Sequence, residues 1–296
     1  GYDILKAYEG THGLVVENMQ SPINSTGDDF GITFLPGKDQ GMFASNRKGS
    51  LSDDLYSFIL PPKVYRTEGE IVNTESDTRV KDAYLRVIGT DGTNLKVRSE
   101  DGKFQFRMQP ETEYIFAAFK EGFLNAKKII STVGLEDSKN FDVSLRLTPT
   151  DAPINVDNIN YEFGKFDLLP GSIQSLDSLV TLLELNPTIV IEIMSHTDFV
   201  GSAQFNSELS QKRAQSVVNH LISKGINPAR LVAKGYGETW PKKVTKKIAK
   251  QYDFFNAGDE LSEEYINKLQ TDEQKEIAKS LDRRTEFRVL RNDFIE

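Results

Sequence analysis

The sequence predicts a multidomain protein with an all-β N-terminal half, followed by an α+β domain of βαβαβ type. Short alternating apolar segments, separated by turn residues, fill residues 1–149. Two prolines then interrupt the chain at positions 149 and 153, and helical periodicity appears only after them. Apolar residues two apart are typical of strands, whereas apolar residues three and four apart are typical of helices.

The composition excludes several classes of protein. The chain of 296 residues is long enough for two or three domains, and no apolar run approaches the roughly 18 residues of a membrane-spanning helix. Gly1-Tyr2-Asp3 does not begin a signal peptide. The absence of cysteine excludes disulfides and thiolate chemistry. The net charge of -8 argues against nucleic acid as a partner.

Residues 1–60 are predicted to form a β-meander with strands at 31–34, 41–45 and 54–58. The segment from Phe43 to Tyr56 resembles one blade of a WD40-like periplasmic β-propeller. Because propellers usually contain 4–8 blades, we expect the last blade of a truncated propeller, with further chain upstream of Gly1. An unrelated small β-meander is the alternative.

Residues 63–149 follow a boundary at Pro61-Pro62 and again predict strands, at 69–72, 83–88, 103–106, 114–118 and 143–147. Asp91-Gly92 and Asp101-Gly102 are predicted hairpin turns, since glycine accepts the positive φ of tight turns. The order of Gly69, Asp101–Phe104, Pro110, Tyr114 and Gly122-Phe123 resembles the carboxypeptidase regulatory-like β-sandwich. That resemblance implies a spacer or interaction module without site residues.

Residues 148–153 are predicted to be a linker, because prolines resist both helices and central strands. The region 154–296 then predicts a strand at 154–163 and a helix that starts near Pro170. A strand at 188–194 precedes a second helix at 203–224, which Gly225 terminates. Two further strands are predicted at 231–234 and 285–290.

This C-terminal region resembles the OmpA-like family over nearly half of the chain. Each motif is weak alone, but their order is specific. The motifs are Tyr161-Glu162-Phe163, Ser195-His196-Thr197-Asp198, Gly201, Asn206, Leu209–Ala214, Gly225-Ile226, Arg230-Leu231, Gly235–Glu238 and Arg283–Phe287.

The resemblance implies non-catalytic binding of peptidoglycan through the meso-diaminopimelate of its stem peptide. The free end of that residue carries an ammonium and a carboxylate on one carbon. Asp198 is implied to receive the ammonium, and Arg213 the carboxylate. A guanidinium suits this role because it can donate two parallel hydrogen bonds, which lysine cannot do. Since the chain is acidic, binding to the wall requires such a local site.

Further site residues are expected around this pair. Asn206 precedes Arg213 by seven residues and so lies on nearly the same helix face, near a helix N-terminus whose partial positive charge suits a carboxylate. The resemblance also implies Thr197, the loop after Phe163, and Arg284. The alternative is that Asp198 and Arg213 form an internal ion pair, which contributes only ~0–1 kcal/mol at a surface.

Enzymatic motifs are missing from the sequence. The three histidines are His12, His196 and His220, and His196 has no second ligand at helical spacing. Ser195, His196 and Asp198 are adjacent in sequence, which does not make a catalytic triad. We therefore expect no catalytic residue, no metal and no cofactor. The alternative function is the wall-targeting module of a peptidoglycan-processing enzyme.

Two features depart from the family pattern. Asp282 stands where the family usually has asparagine. Residues 242–281 are an insertion that begins with a run of five lysines, continues with a cluster of three aromatic residues and ends in an acidic helical stretch. The lysines are Lys242, Lys243, Lys246, Lys247 and Lys250, and the aromatic residues are Tyr252, Phe254 and Phe255. The insertion is either a solvated helical hairpin or a docking surface for a partner protein.

The order of the three modules resembles outer-membrane-associated lipoproteins of Bacteroidetes that are linked with the type IX secretion machinery. This resemblance implies a periplasmic location, a lipid anchor upstream of Gly1, and anchoring of an outer-membrane or secretion complex to the cell wall. The expected partners are peptidoglycan and other envelope or secretion-complex proteins. No nucleic acid and no membrane span are expected.

Overall fold

A computed structural model describes residues 1–10, 13–135, 137–162 and 164–295. The chain divides into two compact units. The first contains Gly1–Tyr65 with the segments Arg107–Pro110 and Gly134–Lys139, and the second contains Arg66–Phe106, Glu111–Val133 and Asn140–Glu296. Within the described ranges, none of the helices combines the length and the apolar character that crossing a membrane requires.

The first unit contains a hairpin and a three-stranded antiparallel meander. The strands are β1 Leu5–Gly10, β2 Gly13–Asn18, β3 Asp29–Phe34, β4 Gln40–Ser45 and β5 Asp54–Ile59. The predicted strands β3 to β5 are confirmed, with Ile4, Ile23, Phe43 and Phe58 in their core. The hairpin β1–β2 was not predicted, because β2 has no buried residue and so no clear alternation. That the meander is a propeller blade stays a prediction.

The following strands form two four-stranded sheets, in the orders β12-β10-β7-β8 and β11-β13-β6-β9. Their bounds are β6 Tyr65–Asn73, β7 Ala83–Gly89, β8 Asn94–Ser99, β9 Lys103–Met108, β10 Glu113–Phe119, β11 Phe123–Leu124, β12 Ala126–Ser131 and β13 Lys139–Pro149. Alternate residues of β7, such as Leu85 and Val87, are buried, whereas their neighbours are exposed. The predicted alternation therefore places one face of β7 in the core.

Two local predictions about these strands are wrong. Asp91-Gly92 does join the hairpin β7–β8, but Asp101-Gly102 joins β8 to β9, which belong to different sheets. Turn residues indicate that a chain reverses and do not determine which strands pair. The predicted linker at 148–153 is also wrong at its start, because Thr148 and Pro149 end β13 and pair with β11. Because Pro149 is the last residue of β13, its missing N–H removes at most one hydrogen bond at the end of the ladder.

The C-terminal domain has a four-stranded sheet in the order β14-β17-β15-β16, and β15 is parallel to β16. The elements are β14 Ile154–Asn155, α1 Ile173–Leu185, β15 Val190–His196, α2 Ala203–Ser223, β16 Leu231–Gly237 and β17 Thr285–Arg291. The predicted βαβαβ order is confirmed. Its apolar cluster includes Leu183, Ile191, Val217 and Leu221. Leu124 of β11 is buried in the same cluster.

The predicted strand at 154–163 is mostly wrong. Only Ile154 and Asn155 pair as a strand, and Asn158 has a positive φ of 59° that breaks the extended chain. Tyr161 forms an isolated bridge with Leu168. Phe163 lies outside the described residues, as does His12.

The insertion, called here the inserted segment (residues 242–281), folds around a small core of its own. It contains α3 Lys246–Gln251 and α4 Glu263–Asn267, and α5 Asp272–Asp282 ends just beyond it. Its buried residues are Val244, Phe255, Leu261, Ile266 and Ala278. The expectation of a solvated hairpin is therefore wrong. Phe199 of the C-terminal domain also packs against this cluster.

Candidate functional site

Asp198 and Glu238 lie at the same edge of the C-terminal sheet. Asp198 follows β15 by two residues, and Glu238 follows β16 directly. Because β15 and β16 are parallel, their carboxyl ends meet at one edge, where ligands of open α/β sheets usually bind. Helix α2 begins beside this edge, and Ser202 caps it by accepting a hydrogen bond from the Phe205 N–H at 3.2 Å.

Asn206 connects the two strand ends. Its Nδ2 donates to the backbone oxygen of Asp198 at 3.2 Å and to Oε2 of Glu238 at 2.6 Å, and the residue is only 2% exposed. The structure thus places Asn206 beside Asp198. Glu238 was not among the predicted site residues. Its position directly after a parallel strand is the signal that could have identified it.

Two glycines allow helix α2 to approach β16 closely. A Cβ atom on Gly235 would lie 2.2 Å from the backbone nitrogen of Gln211. Gly237 has a φ of +53°, and a Cβ there would lie 3.1 Å from the backbone nitrogen of Ser207. Side chains at these positions would push the first turns of α2 away from the sheet, so the glycines fix where Asn206 lies.

Arg213 is buried on the inner face of α2, with only 8% of its surface exposed. Its Nε donates to the backbone oxygen of Lys165 at 3.0 Å, and its guanidinium lies 4.7 Å from the centre of the Tyr161 ring. Among the described residues, neither terminal nitrogen of Arg213 donates a hydrogen bond. Burial lowers the pKa of Arg213, but the group stays charged at any physiological pH. The two terminal nitrogens are therefore available to a ligand acceptor, as far as the described residues go.

Asp198 and Arg213 lie near each other without forming an ion pair. Asp198 accepts a hydrogen bond from Asn206, which lies two turns before Arg213 on the same buried face of α2. The ion-pair partner of Asp198 in the described part of the chain is Arg283, whose Nη1 lies 2.5 Å from Oδ2. The alternative of an internal Asp198–Arg213 ion pair is therefore wrong. Arg283 was missed, because sequence reasoning selected its neighbour.

Arg284, which sequence reasoning did select, contacts other groups. Its Nη2 donates to the backbone oxygen of Trp240 at 3.2 Å, and its Nε lies 3.0 Å from Oε2 of Glu286. Arg283 caps the C-terminus of α5, and from there its guanidinium reaches Asp198, whereas Arg284 lies one residue nearer β17. Sequence alone did not indicate which of the two reaches Asp198.

Thr197 lies next to Asp198, and its backbone N–H is already used. That N–H donates to the backbone oxygen of Gly237 at 3.0 Å, which ties the end of β15 to the end of β16. The hydroxyl of Thr197 is buried and has no hydrogen-bond partner among the residues that the structure describes. Thr197 therefore holds the loop that carries Asp198 in place.

His196 is buried behind the site. Burial, reinforced by the charge of Arg284, lowers its pKa to about 3, so the imidazole is neutral at physiological pH. Its ring stacks on Tyr236 with 5.4 Å between centroids, and its Nε2 lies 3.5 Å from Oε2 of Glu286. No group of three or more His, Asp or Glu side chains is arranged to hold a metal ion in the ranges that the structure describes.

Comparison with known proteins identifies the domain that carries this site. Residues 160–253 match the OmpA family and form an OmpA-like domain. Outer membrane protein A of Shimwellia blattae is 42% identical over 86 residues, which are 28% of this chain and 36% of that protein. Outer membrane porin F of Pseudomonas fluorescens is 33% identical over 84 residues, 28% of this chain and 26% of that protein. The chain thus matches only about a third of the length of the first relative and about a quarter of the second.

Solved structures are also similar to part of the chain. The peptidoglycan-associated lipoprotein from Burkholderia pseudomallei is 21% identical, with a TM-score of 0.32, over 44% of this chain and 87% of that one. The cell wall anchor of the T6SS from Pseudomonas aeruginosa is 17% identical, with a TM-score of 0.30, over 46% of this chain and 76% of that one.

Proposed function

We propose that the OmpA-like domain binds peptidoglycan without catalysis, through the meso-diaminopimelate of the stem peptide. The observation that carries this proposal is the guanidinium of Arg213, whose terminal nitrogens have no acceptor among the described residues, on the same helix face as Asn206, which is hydrogen-bonded to Asp198. A ligand carboxylate could accept two parallel hydrogen bonds from these nitrogens.

The proposed pose follows from these charges. The ligand carboxylate accepts two hydrogen bonds from Arg213, and the ligand ammonium on the same carbon turns toward Asp198. Asn206 and Glu238 limit the space on the side of β16, since they are hydrogen-bonded to each other there. A ligand with only one of the two charges satisfies half of the site, which makes the amino-acid end of diaminopimelate the preferred group.

We further propose that wall binding anchors a larger assembly in the periplasm at the outer membrane. The resemblance of the modules before residue 154 to a propeller blade and a regulatory-like sandwich supports this role. So does the likeness of the whole layout to lipoproteins linked with type IX secretion. In this proposal the partners are envelope or secretion-complex proteins, and the lipid anchor belongs to chain preceding Gly1.

Pull-down by purified sacculi tests the proposal. The unaltered chain should sediment with sacculi, whereas Asp198→Ala and Arg213→Ala should stay in the supernatant with thermal melts close to that of the parent. Asp177→Ala and Arg291→Ala are matched controls, because both residues are partly exposed and lie in ion pairs elsewhere in the domain. Sedimentation of both site variants with sacculi would refute the assignment.

The same sacculi test the enzymatic alternative. A peptidoglycan-processing enzyme that uses this domain for targeting would release soluble muropeptides from them. We expect none above a buffer blank after prolonged incubation. Release that persists in Asp198→Ala would point to chemistry elsewhere in the chain.

A further inference from the structure

Arg283 bridges two carboxylates that come from different parts of the chain. Its Nη1 lies 2.5 Å from Oδ2 of Asp198, in the loop after β15, and its Nη2 lies 2.7 Å from Oε1 of Glu276, on α5. Glu276 belongs to the inserted segment, and Phe199, which follows Asp198, packs against the core of that segment. The inserted segment therefore contacts the proposed ligand site at two points.

Arg283 forms an ion pair with the carboxylate of Asp198, which is the group that binds the ligand ammonium in the proposed pose. The side chain of Asp198 is only 9% exposed, and its other oxygen accepts a hydrogen bond from the Val200 N–H at 3.0 Å. An ammonium that arrives at Oδ2 would meet the positive charge of Arg283 within a few ångströms. Like charges at that distance repel each other, and partial burial weakens the screening by water.

The two ends of this bridge differ in exposure. Glu276 is 57% exposed and Arg283 is 39% exposed, so the outer end of the bridge is much closer to solvent than Asp198. Arg283 can leave Asp198 without losing all its hydrogen bonds, because a guanidinium can place two nitrogens on the single carboxylate of Glu276. Glu276 also pairs with Lys279 at 2.7 Å.

We infer that Arg283 competes with the ligand ammonium for Asp198, and that Glu276 of the inserted segment holds Arg283 when the ligand binds. The inserted segment thereby sets the affinity of the site. This inference rests on the proposed binding of diaminopimelate. The carboxylate half of the ligand meets no such competitor, because no described residue accepts a hydrogen bond from the terminal nitrogens of Arg213.

The competition predicts opposite effects for two neutral substitutions. Arg283→Gln removes the competing charge, and binding of a diaminopimelate-containing tripeptide should become roughly tenfold tighter, the size of one charge-assisted hydrogen bond. Glu276→Gln removes the carboxylate that holds Arg283 in the bound state. Binding should then weaken roughly threefold, as expected for an exposed ion pair.

Isothermal calorimetry on the full chain measures both effects. Glu264→Gln is the matched control, because Glu264 is an exposed carboxylate of the same segment that pairs with Lys268 and should leave affinity unchanged. In the Arg283→Gln background, Glu276→Gln should have no further effect. Pimelate, which has the carboxylates but no ammonium, should not bind more tightly to Arg283→Gln than to the parent.

The outcomes separate this inference from the proposed function. Weaker tripeptide binding by Arg283→Gln, with intact binding by the parent, would make Arg283 a direct ligand contact and overturn the competition alone. An unchanged affinity in Glu276→Gln would remove the role of the inserted segment. Absence of binding in every variant would overturn both proposals. If Arg283→Gln does not fold, Arg283→Lys takes its place in the test, because it keeps the positive charge. This variant should bind the tripeptide more tightly than the parent, since lysine cannot bridge both carboxylates.

Discussion

The backbone N–H of Lys242 donates a 2.6 Å hydrogen bond to Oδ1 of Asp282, which ties together the two ends of the inserted segment. The side chain of Lys242 extends the contact to Oε1 of Glu286 at 2.5 Å. A buried carboxylate thus closes the base of the segment. Because burial raises the pKa of this carboxyl to about 6, the stability of the fold should depend on pH.

Asp282→Asn should stabilise the protein at neutral pH. Burial raises the pKa of Asp282 to about 6, against the opposing effect of the Lys242 N–H. A raised folded-state pKa stabilises the fold below about pH 4, and that contribution is lost as pH rises through 6. Asparagine retains the acceptor for Lys242 without the charge, so the variant should gain about 2 kcal/mol over the parent at pH 7.5. Urea melts at pH 4.5 and 7.5 measure the difference, and parallel pH profiles would contradict it.

His196→Phe should protect the protein against mild acid. Burial lowers the pKa of His196 to about 3, below its value in the unfolded chain. The contribution of His196 to the stability of the fold is therefore complete above pH 6.5 and is lost as pH falls. Between pH 6.5 and 5 the parent should lose about 2 kcal/mol through this group. Phenylalanine can keep the stacking on Tyr236 and does not titrate. The stability difference between variant and parent should therefore grow as pH falls, and a constant difference would argue against a neutral buried histidine.

Gly235→Ala should destabilise the domain strongly. The added Cβ would lie 2.2 Å from the backbone of Gln211, so α2 would have to move away from β16. We expect a loss of about 3 kcal/mol in chemical denaturation, typical of overpacking in a core. Gly171→Ala is the control, because a Cβ there meets nothing within 4 Å. Equal melts for the two variants would show that the close approach of α2 is not required.

Leu124→Ala should loosen the C-terminal domain although Leu124 belongs to β11, in the sheet β11-β13-β6-β9. Leu124 is 2% exposed within the apolar cluster of α1 and α2, so its truncation should cost about 3 kcal/mol. Hydrogen exchange should quicken in α1 and β15 more than in β7. Leu95→Ala, at a position 41% exposed, is the control. Faster exchange confined to strands β6 to β13 would contradict a shared core.

The sequence predicted the elements whose local signals were strong. Ser202 and Gly225 mark the two ends of helix α2, and a run of β-branched residues marks β15. Both elements were therefore predicted to within a few residues. The strand at 154–163 failed because Asn158 turns the chain, a local choice that alternation does not reveal. The hairpin at Asp101-Gly102 failed because strand pairing depends on the distant partners of β8 and β9.

Prediction of the candidate site was limited in the same way. Asp198, Asn206 and Arg213 could be proposed together, since a loop and two turns of one helix place them near each other. Glu238 lies 32 positions from its partner Asn206 in sequence, and Arg283 lies 85 positions from its partner Asp198. Contacts between residues so far apart are determined by the tertiary fold. The choice between Arg283 and Arg284 depends on the direction in which α5 ends. The core of the inserted segment likewise depends on how three short helices pack.

Calorimetry with Arg213→Lys tests the central claim most directly, because the substitution keeps the positive charge and removes the two parallel donors. The parent chain should bind the diaminopimelate-containing tripeptide, and Arg213→Lys should bind it roughly tenfold or more weakly. The thermal melt of the folded variant should remain cooperative. Equal affinity in the parent and Arg213→Lys would contradict recognition of the ligand carboxylate by the buried guanidinium.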